Sequence, residues 1–137
     1  MASPAGNSSD ACVWAVAAAR HAAEYHCEDL VVLDLRGVSP MTEYFVIATG
    51  TSDRQMRALA DELTRRGKAA GHPAWHVEGR DSATWIVLDF VDVVVHLFDQ
   101  ARRSYYDLEL IWGAAPRVDW RAEAGGPEAE RSESNGH

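Results

Sequence analysis

Cysteine and long hydrophobic runs are what this chain has little of. Two cysteines, Cys12 and Cys27, occur in 137 residues, too few for a disulfide framework. We interpret both as reduced thiols in or near a helix, since free cysteine mostly behaves as a small buried residue. No apolar run approaches the roughly 20 residues of a membrane span, and residues 1–19 lack the basic start of a signal peptide. These absences predict a cytoplasmic protein that uses no membrane.

Positive charge is also scarce. The chain has 13 Lys and Arg against 21 Asp and Glu, a net charge of −8. Affinity for nucleic acid comes largely from Lys and Arg displacing counterions from phosphates. Direct binding to DNA or RNA is therefore not the expected task, and a basic protein is the partner that the charge favours.

The length and the 47% hydrophobic content predict one domain with a single core. The small, polar residues 1–9 are predicted to be a disordered N-terminus, and the domain is expected to span residues 10–113. Residues 114–137 are rich in Ala, Gly, Pro, Glu and Ser, which predicts a disordered acidic tail.

Hydrophobic periodicity predicts an α/β chain of mixed α+β type, with one mixed sheet of about five strands flanked by helices. Asp10 is the expected cap of a first helix ending near His26, and Ser52 that of a second helix ending near Ala70. Buried or half-buried runs predict the strands, which are 30–35, 44–49, 74–77, 85–90 and 92–98. A last helix is expected from about Asp99 to Trp112.

Two patterns could carry catalysis, and each has a plainer interpretation. Gly50-Thr51-Ser52 lies between a strand and a helix, where anions can bind, but it lacks the glycine spacing and lysine of a P-loop. Asp89 and Asp92 could share a magnesium ion, but a spacing of three does not place both on one face of a strand. A capped helix start and a turn with surface charge explain these residues, so no catalytic, cofactor or metal site is predicted.

Two further patterns suit recognition. His96 lies in the middle of a strand, where it could be a base, a ligand, an interface residue or part of the core; the last two are favoured because no nucleophile lies near it in the sequence. Arg102 and Arg103 precede Tyr105 on the last helix, and Arg and Tyr are common in interface hot spots. The alternative is that one tyrosine packs inward and the arginines are solvated.

Several segments, in order along the chain, resemble the ribosomal silencing factor family, also called the Iojap family. The resemblance covers about residues 10–112. The segments are 42–52 (TEYFVIATGTS), 77–79 (VEG), 82–92 (SATWIVLDFVD), 93–98 (VVVHLF) and 105–112 (YYDLELIW).

This resemblance implies a fold related to nucleotidyltransferases but without their catalytic carboxylates. It implies binding to the large ribosomal subunit through its ribosomal protein fourteen, on the face that the small subunit must join. Bound there, such a factor blocks subunit joining and lowers translation when nutrients are scarce. Family members also tend to form homodimers.

Two residues depart from the family pattern. Glu43 stands where Asp is usual, which is a mild change. Val91 stands where the family has Gly in a hairpin turn, and a valine resists the positive φ that a glycine accepts. The geometry of that turn is therefore the point where this chain is expected to differ.

The charge argument and the resemblance together suggest a partner-binding surface. Acidic residues would pair with Lys or Arg of the partner, and Trp85 would supply apolar contact unless it is a core residue. The candidate residues are Glu78, Arg80, Trp85, Asp89, Asp92, His96, Arg102 and Tyr105, while Val93, Val95, Leu97 and Leu108 are expected in the core. Two alternative functions remain open: a large-subunit assembly factor, and a metal-dependent nucleotidyltransferase acting through Asp89 and Asp92.

Overall fold

The computed structural model describes residues 3–105 and 115–121. These residues form three helices and five strands. In chain order they are α1 (Ser3–Glu24), β1 (Glu28–Asp34), β2 (Tyr44–Thr49), α2 (Asp53–Ala69), β3 (His76–Glu78), β4 (Trp85–Asp89), β5 (Val93–Phe98) and α3 (Gln100–Tyr105). None of the described helices is both long and apolar enough to cross a membrane.

The strands form one sheet in the order β1-β2-β5-β4-β3. The central pair β2 and β5 is parallel, and the other pairs are antiparallel. A parallel pair needs a long crossover connection, and here that crossover contains α2, β3 and β4. The predicted class, a single mixed five-stranded sheet with helices, is confirmed.

The main core lies between one face of the sheet and helices α1 and α2. On α2, Met56, Leu59, Ala60 and Leu63 are all buried, the spacing that places apolar residues on one helical stripe. On α1, the buried positions 15, 18, 19 and 22 are all alanine. Such small side chains let the α1 backbone lie close to the sheet.

The first helix is longer at its start than the sequence indicates. It begins at Ser3, so the prediction of disorder is wrong for residues 3–9, whose backbone continues α1. Pro4 lies in the first turn, where a missing N–H costs nothing and the fixed φ suits a helix. At the other end, His26 at φ +70° ends the helix, and the Cys27 N–H donates to the Ala22 carbonyl at 3.0 Å, as in a Schellman motif.

Part of the expected tail belongs to the fold. The Asp34 N–H donates to the Pro116 carbonyl, and the Val118 N–H donates to the Val32 carbonyl, both at 2.8 Å. The prediction of disorder from residue 114 onward is therefore wrong for residues 115–121. Strand β1 is an edge whose backbone groups would otherwise lack partners, and composition does not reveal that a nearby segment supplies them. Residues 122–137, Leu108 and Trp112 lie outside the described residues.

Candidate functional site

The sheet face opposite α1 and α2 is the candidate docking surface, and we call it the open face. Side chains alternate between the two faces of a strand, so the open face carries the side chains that do not point into the helix-facing core. Across the sheet they are Leu33, Phe45, Ile47, Val94, His96, Phe98, Trp85, Val87, Asp89, His76 and Glu78. Part of this face is apolar and half-buried, and its β3–β4 side carries carboxylates.

Four of the predicted partner-binding residues come together here. Trp85 and Asp89 lie on β4, His96 lies on β5, and Glu78 lies on β3. Glu78 is registered with Val87, which is itself registered with His96. The sequence separation of these residues hides this proximity, which comes from the pairing of three strands.

Trp85 and His96 form the centre of the open face. The Trp85 Nε1–H donates to His96 Nδ1 at 3.1 Å, and the indole stacks on Phe98 with ring centroids 5.1 Å apart. Trp85 is half-buried, so it combines the two roles considered for it: it packs against the core and still presents surface.

Burial lowers the pKa of His96 to about 4, because a charged imidazole would lose its hydration there. The ring is therefore neutral at physiological pH. Since Nδ1 accepts a hydrogen bond, the proton resides on Nε2, and Nε2 is buried without a hydrogen-bond partner. The structure thus fits the interpretation of His96 as a core or interface residue, with Nε2–H as its donor.

The acidic residues have distinct surroundings. Glu78 is exposed and pairs with His76 at 2.7 Å. Asp89 uses Oδ1 to accept the Val91 N–H at 2.8 Å, which is the turn role considered for it. Asp92 lies beyond the end of β4 in the turn, and its backbone carbonyl accepts from Glu43 and Tyr44. The two aspartates are therefore not neighbours along one strand face.

Arg80 is not brought to the open face. Its guanidinium makes two hydrogen bonds with Asp61 of α2, at 2.8 and 2.7 Å, and this pairing lowers the pKa of the Asp61 carboxyl. Helix α2 covers the opposite face of the sheet, so Arg80 points toward the helical layer. No local pattern predicts this pairing, because 19 residues separate the partners.

Helix α3 contributes a residue that the sequence analysis did not select. Arg103 is buried, and it donates to the Thr49 hydroxyl and to the Asp29 carbonyl, each at 2.8 Å. It fastens α3 to the ends of β1 and β2. Arg102 is exposed, and Tyr105 is the last described residue of α3, with its side chain outside the described part. The solvated interpretation thus fits Arg102 and is wrong for Arg103.

The turn at residues 50–52 is a capped helix start. The Ser52 side chain accepts the Gln55 N–H at 3.0 Å, and the Gln55 side chain accepts the Thr51 N–H at 2.6 Å. These reciprocal bonds satisfy donors that a bound anion would otherwise use. A Cβ at Gly50 would meet Met56 at 2.2 Å, so close packing explains the glycine. Within residues 3–105 and 115–121, no cluster of three or more His, Cys, Asp or Glu could hold a metal.

A groove lies at the end of the open face nearest the β4–β5 turn, with a volume of about 680 Å³. Trp75 and Met41, which sequence reasoning did not select, form exposed parts of its wall. Met41 lies outside the predicted elements, and Trp75 was predicted only as part of the strand 74–77, whereas β3 begins at His76. Together with the central Trp85–His96 pair, the groove makes the open face a candidate binding surface.

An open, partly apolar sheet face with acidic residues at its side is the kind of surface that suits docking on a macromolecule. The family model described as ribosomal silencing factor during starvation (RsfS) matches residues 8–137, and the chain belongs to this ribosomal silencing factor family. It is 44% identical over 92 residues to ribosomal silencing factor RsfS of Bacillus subtilis (strain 168), covering 67% of this chain and 78% of that protein.

Two other comparisons extend this result. A crystal structure of a protein from Chromobacterium violaceum superposes with a TM-score of 0.67 at 35% identity, covering 70% of this chain and 80% of that one. The mouse protein named mitochondrial assembly of ribosomal large subunit protein 1 is 32% identical over 90 residues, which is 64% of this chain and 40% of the mouse protein. The family predicted from the sequence motifs is thus confirmed.

Proposed function

We propose that this protein binds the large ribosomal subunit in the cytoplasm through its open face and prevents the small subunit from joining, lowering translation when nutrients are limiting. The observation that carries this proposal is the convergence of Glu78, Trp85, Asp89 and His96 on the sheet face opposite α1 and α2 in a member of the ribosomal silencing factor family. Occupying one surface needs no cofactor.

The partner on the large subunit is its ribosomal protein fourteen. A basic protein complements the charge of −8, and electrostatic complementarity speeds association and selects the partner. Glu78 and Asp89 pair with Lys or Arg of that protein, and Asp92 does the same from the turn. Trp85 supplies apolar contact at the centre of the face. In the absence of subunits the chain forms a homodimer.

Density-gradient centrifugation of the full chain with purified large subunits tests this function. We expect the wild type to move with the large subunits, and to reduce the fraction of joined ribosomes when it is added before the small subunits. Glu78→Lys should weaken binding about tenfold or more, because it turns an attractive charge into a repulsive one.

Glu24→Lys is the matched control. Glu24 is also exposed and also pairs with a histidine, His21, but it lies on α1 in the helical layer. Both variants change the net charge equally, so a selective loss with Glu78→Lys would locate binding on the open face. If the wild type stays at the top of the gradient with large subunits present at micromolar concentration, the proposal fails.

A role in assembly of the large subunit is the second candidate, favoured by the name of the mouse relative. An assembly factor would bind the same subunit at an earlier stage. Comparing wild-type binding to mature subunits and to their precursors separates the two functions: preference for precursors supports assembly, and equal binding with inhibited joining supports silencing.

A further inference from the structure

The groove at the end of the open face gathers most of the exposed large apolar side chains of the described residues. It lies between the loop of residues 38–42 and the β4–β5 turn. Its exposed apolar walls are Val38 (44% exposed), Met41 (82%), Trp75 (74%) and Val91 (54%). Elsewhere in the described ranges only Val13 and Val77 are large, apolar and exposed. Such a concentration marks an interaction site.

The inner wall of the groove holds two polar groups without partners. His96 and Thr42 both line it, both are more than nine-tenths buried, and His96 Nε2 and Thr42 Oγ1 lack hydrogen bonds. Because His96 Nδ1 accepts from Trp85, Nε2 carries a hydrogen that it can donate. Buried polar groups are nearly always paired, so these two are exceptional features of the groove's inner wall.

One carboxylate supplies the charge of the groove. Asp89 is the acidic residue that lines it, and His96, which also lines it, is neutral. Asp89 Oδ1 holds the β4–β5 turn through the Val91 N–H. Within residues 3–105 and 115–121 no basic side chain forms an ion pair with Asp89. The negative charge is therefore available to a cation brought by the occupant.

We propose that this groove receives a polypeptide segment of the protein partner in which a large apolar residue stands next to Lys or Arg. The apolar side chain packs between Met41 and Trp75, and the cation reaches Asp89. The inference rests on the proposed function and identifies the chemistry recognised at that docking surface.

Charge selects this occupant over two others. A phosphate backbone would meet a carboxylate in an acidic protein, which opposes binding. A second copy of the chain would bring its own Asp89 to the groove and no cation to pair with the carboxylate there. A basic, apolar segment satisfies the walls and the carboxylate together.

Asp89→Asn and Trp75→Ala test the groove in the gradient assay with full-length protein. Asn keeps the Oδ1 acceptor for the turn and removes the charge, while Trp75 is exposed enough to be truncated without disturbing the core. Each variant should weaken binding to purified large subunits about tenfold or more, and Asp89→Asn should also reduce the salt dependence.

Asp81→Asn is the control, because Asp81 is exposed and does not line the groove; it should bind within about twofold of the wild type. Wild-type binding with undiminished binding of Asp89→Asn and Trp75→Ala would overturn the groove assignment and leave the proposed function standing. Failure of the wild type to bind would overturn both.

A photo-crosslinking amino acid in place of Met41 identifies the occupant, with the same group in place of Val13 on α1 as the control. The expected adduct is with a ribosomal protein, at a peptide where a large apolar residue adjoins Lys or Arg. An adduct with ribosomal RNA or with a second copy, or an equal yield from the Val13 position, would overturn the proposal.

Discussion

The β4–β5 turn holds Val91 in a conformation that valine disfavours. Its φ is +77°, and the Asp92 N–H donates to the Phe90 carbonyl at 3.0 Å across it. This is the rare γ-turn with positive φ at its centre, which is strained for a residue with a Cβ. Valine was expected to resist positive φ, yet Val91 adopts it here, and we predict that Val91→Gly stabilises the protein.

Three contributions set the size of the effect. Positive φ costs an ordinary residue about 1–2 kcal/mol, and a β-branched residue lies at the upper end. Glycine destabilises the folded state by roughly 0.4–1 kcal/mol, because it gives the unfolded chain greater freedom. Val91 is 54% exposed, so losing its side chain removes about 0.7 kcal/mol of burial. The net gain is about 0.3–0.9 kcal/mol, or about 1–3 °C in Tm for a chain of this length.

Thermal and urea unfolding of the wild type and two glycine variants measure this change in the free energy of unfolding. Val38→Gly is the matched control, because Val38 is comparably exposed at 44%, lines the same groove and does not have positive φ. It should lose about 1–1.5 kcal/mol through burial and chain entropy. The contrast in sign isolates the strain, and a loss in Val91→Gly equal to that in Val38→Gly would refute the reasoning.

Two further predictions concern buried polar groups. The His96 pKa of about 4 lies below its ordinary value, so the folded state binds fewer protons than the unfolded state between about pH 6.5 and 4. The contribution of His96 to the free energy of unfolding is therefore fully present above pH 6.5 and is about 3 kcal/mol smaller at pH 4. His96→Asn should lack this loss in urea titrations at pH 7 and 4, and parallel profiles would contradict the assignment. Arg103→Ala should cost about 2–3 kcal/mol by leaving the Thr49 hydroxyl and Asp29 carbonyl unpaired, whereas Arg102→Ala should stay within about 0.5 kcal/mol; equal losses in chemical denaturation would exclude the anchoring role.

The parts of the site that the sequence predicted lie in strongly patterned segments. Trp85, Asp89 and His96 were recognisable because two apolar runs flank a short turn, so alternation and pairing place them near one another. The partners of Arg80 and Arg103 could not be predicted, because a long flexible side chain can reach a partner on any element. Their partners, Asp61 and Thr49, are distant in sequence. Composition cannot distinguish a solvated arginine from an anchoring one.

The sequence by itself determined the segments and their inward sides, because the periods of helices and strands are local properties of the backbone. Apolar spacing fixed α2, and β-branched runs fixed β2 and β5. Only the tertiary structure decided that both long helices cover one face, that residues 115–121 close the β1 edge, and that Met41, Trp75 and His96 line one groove. Those outcomes depend on contacts between residues far apart in the chain, whose cost in chain entropy is repaid only when the whole core forms.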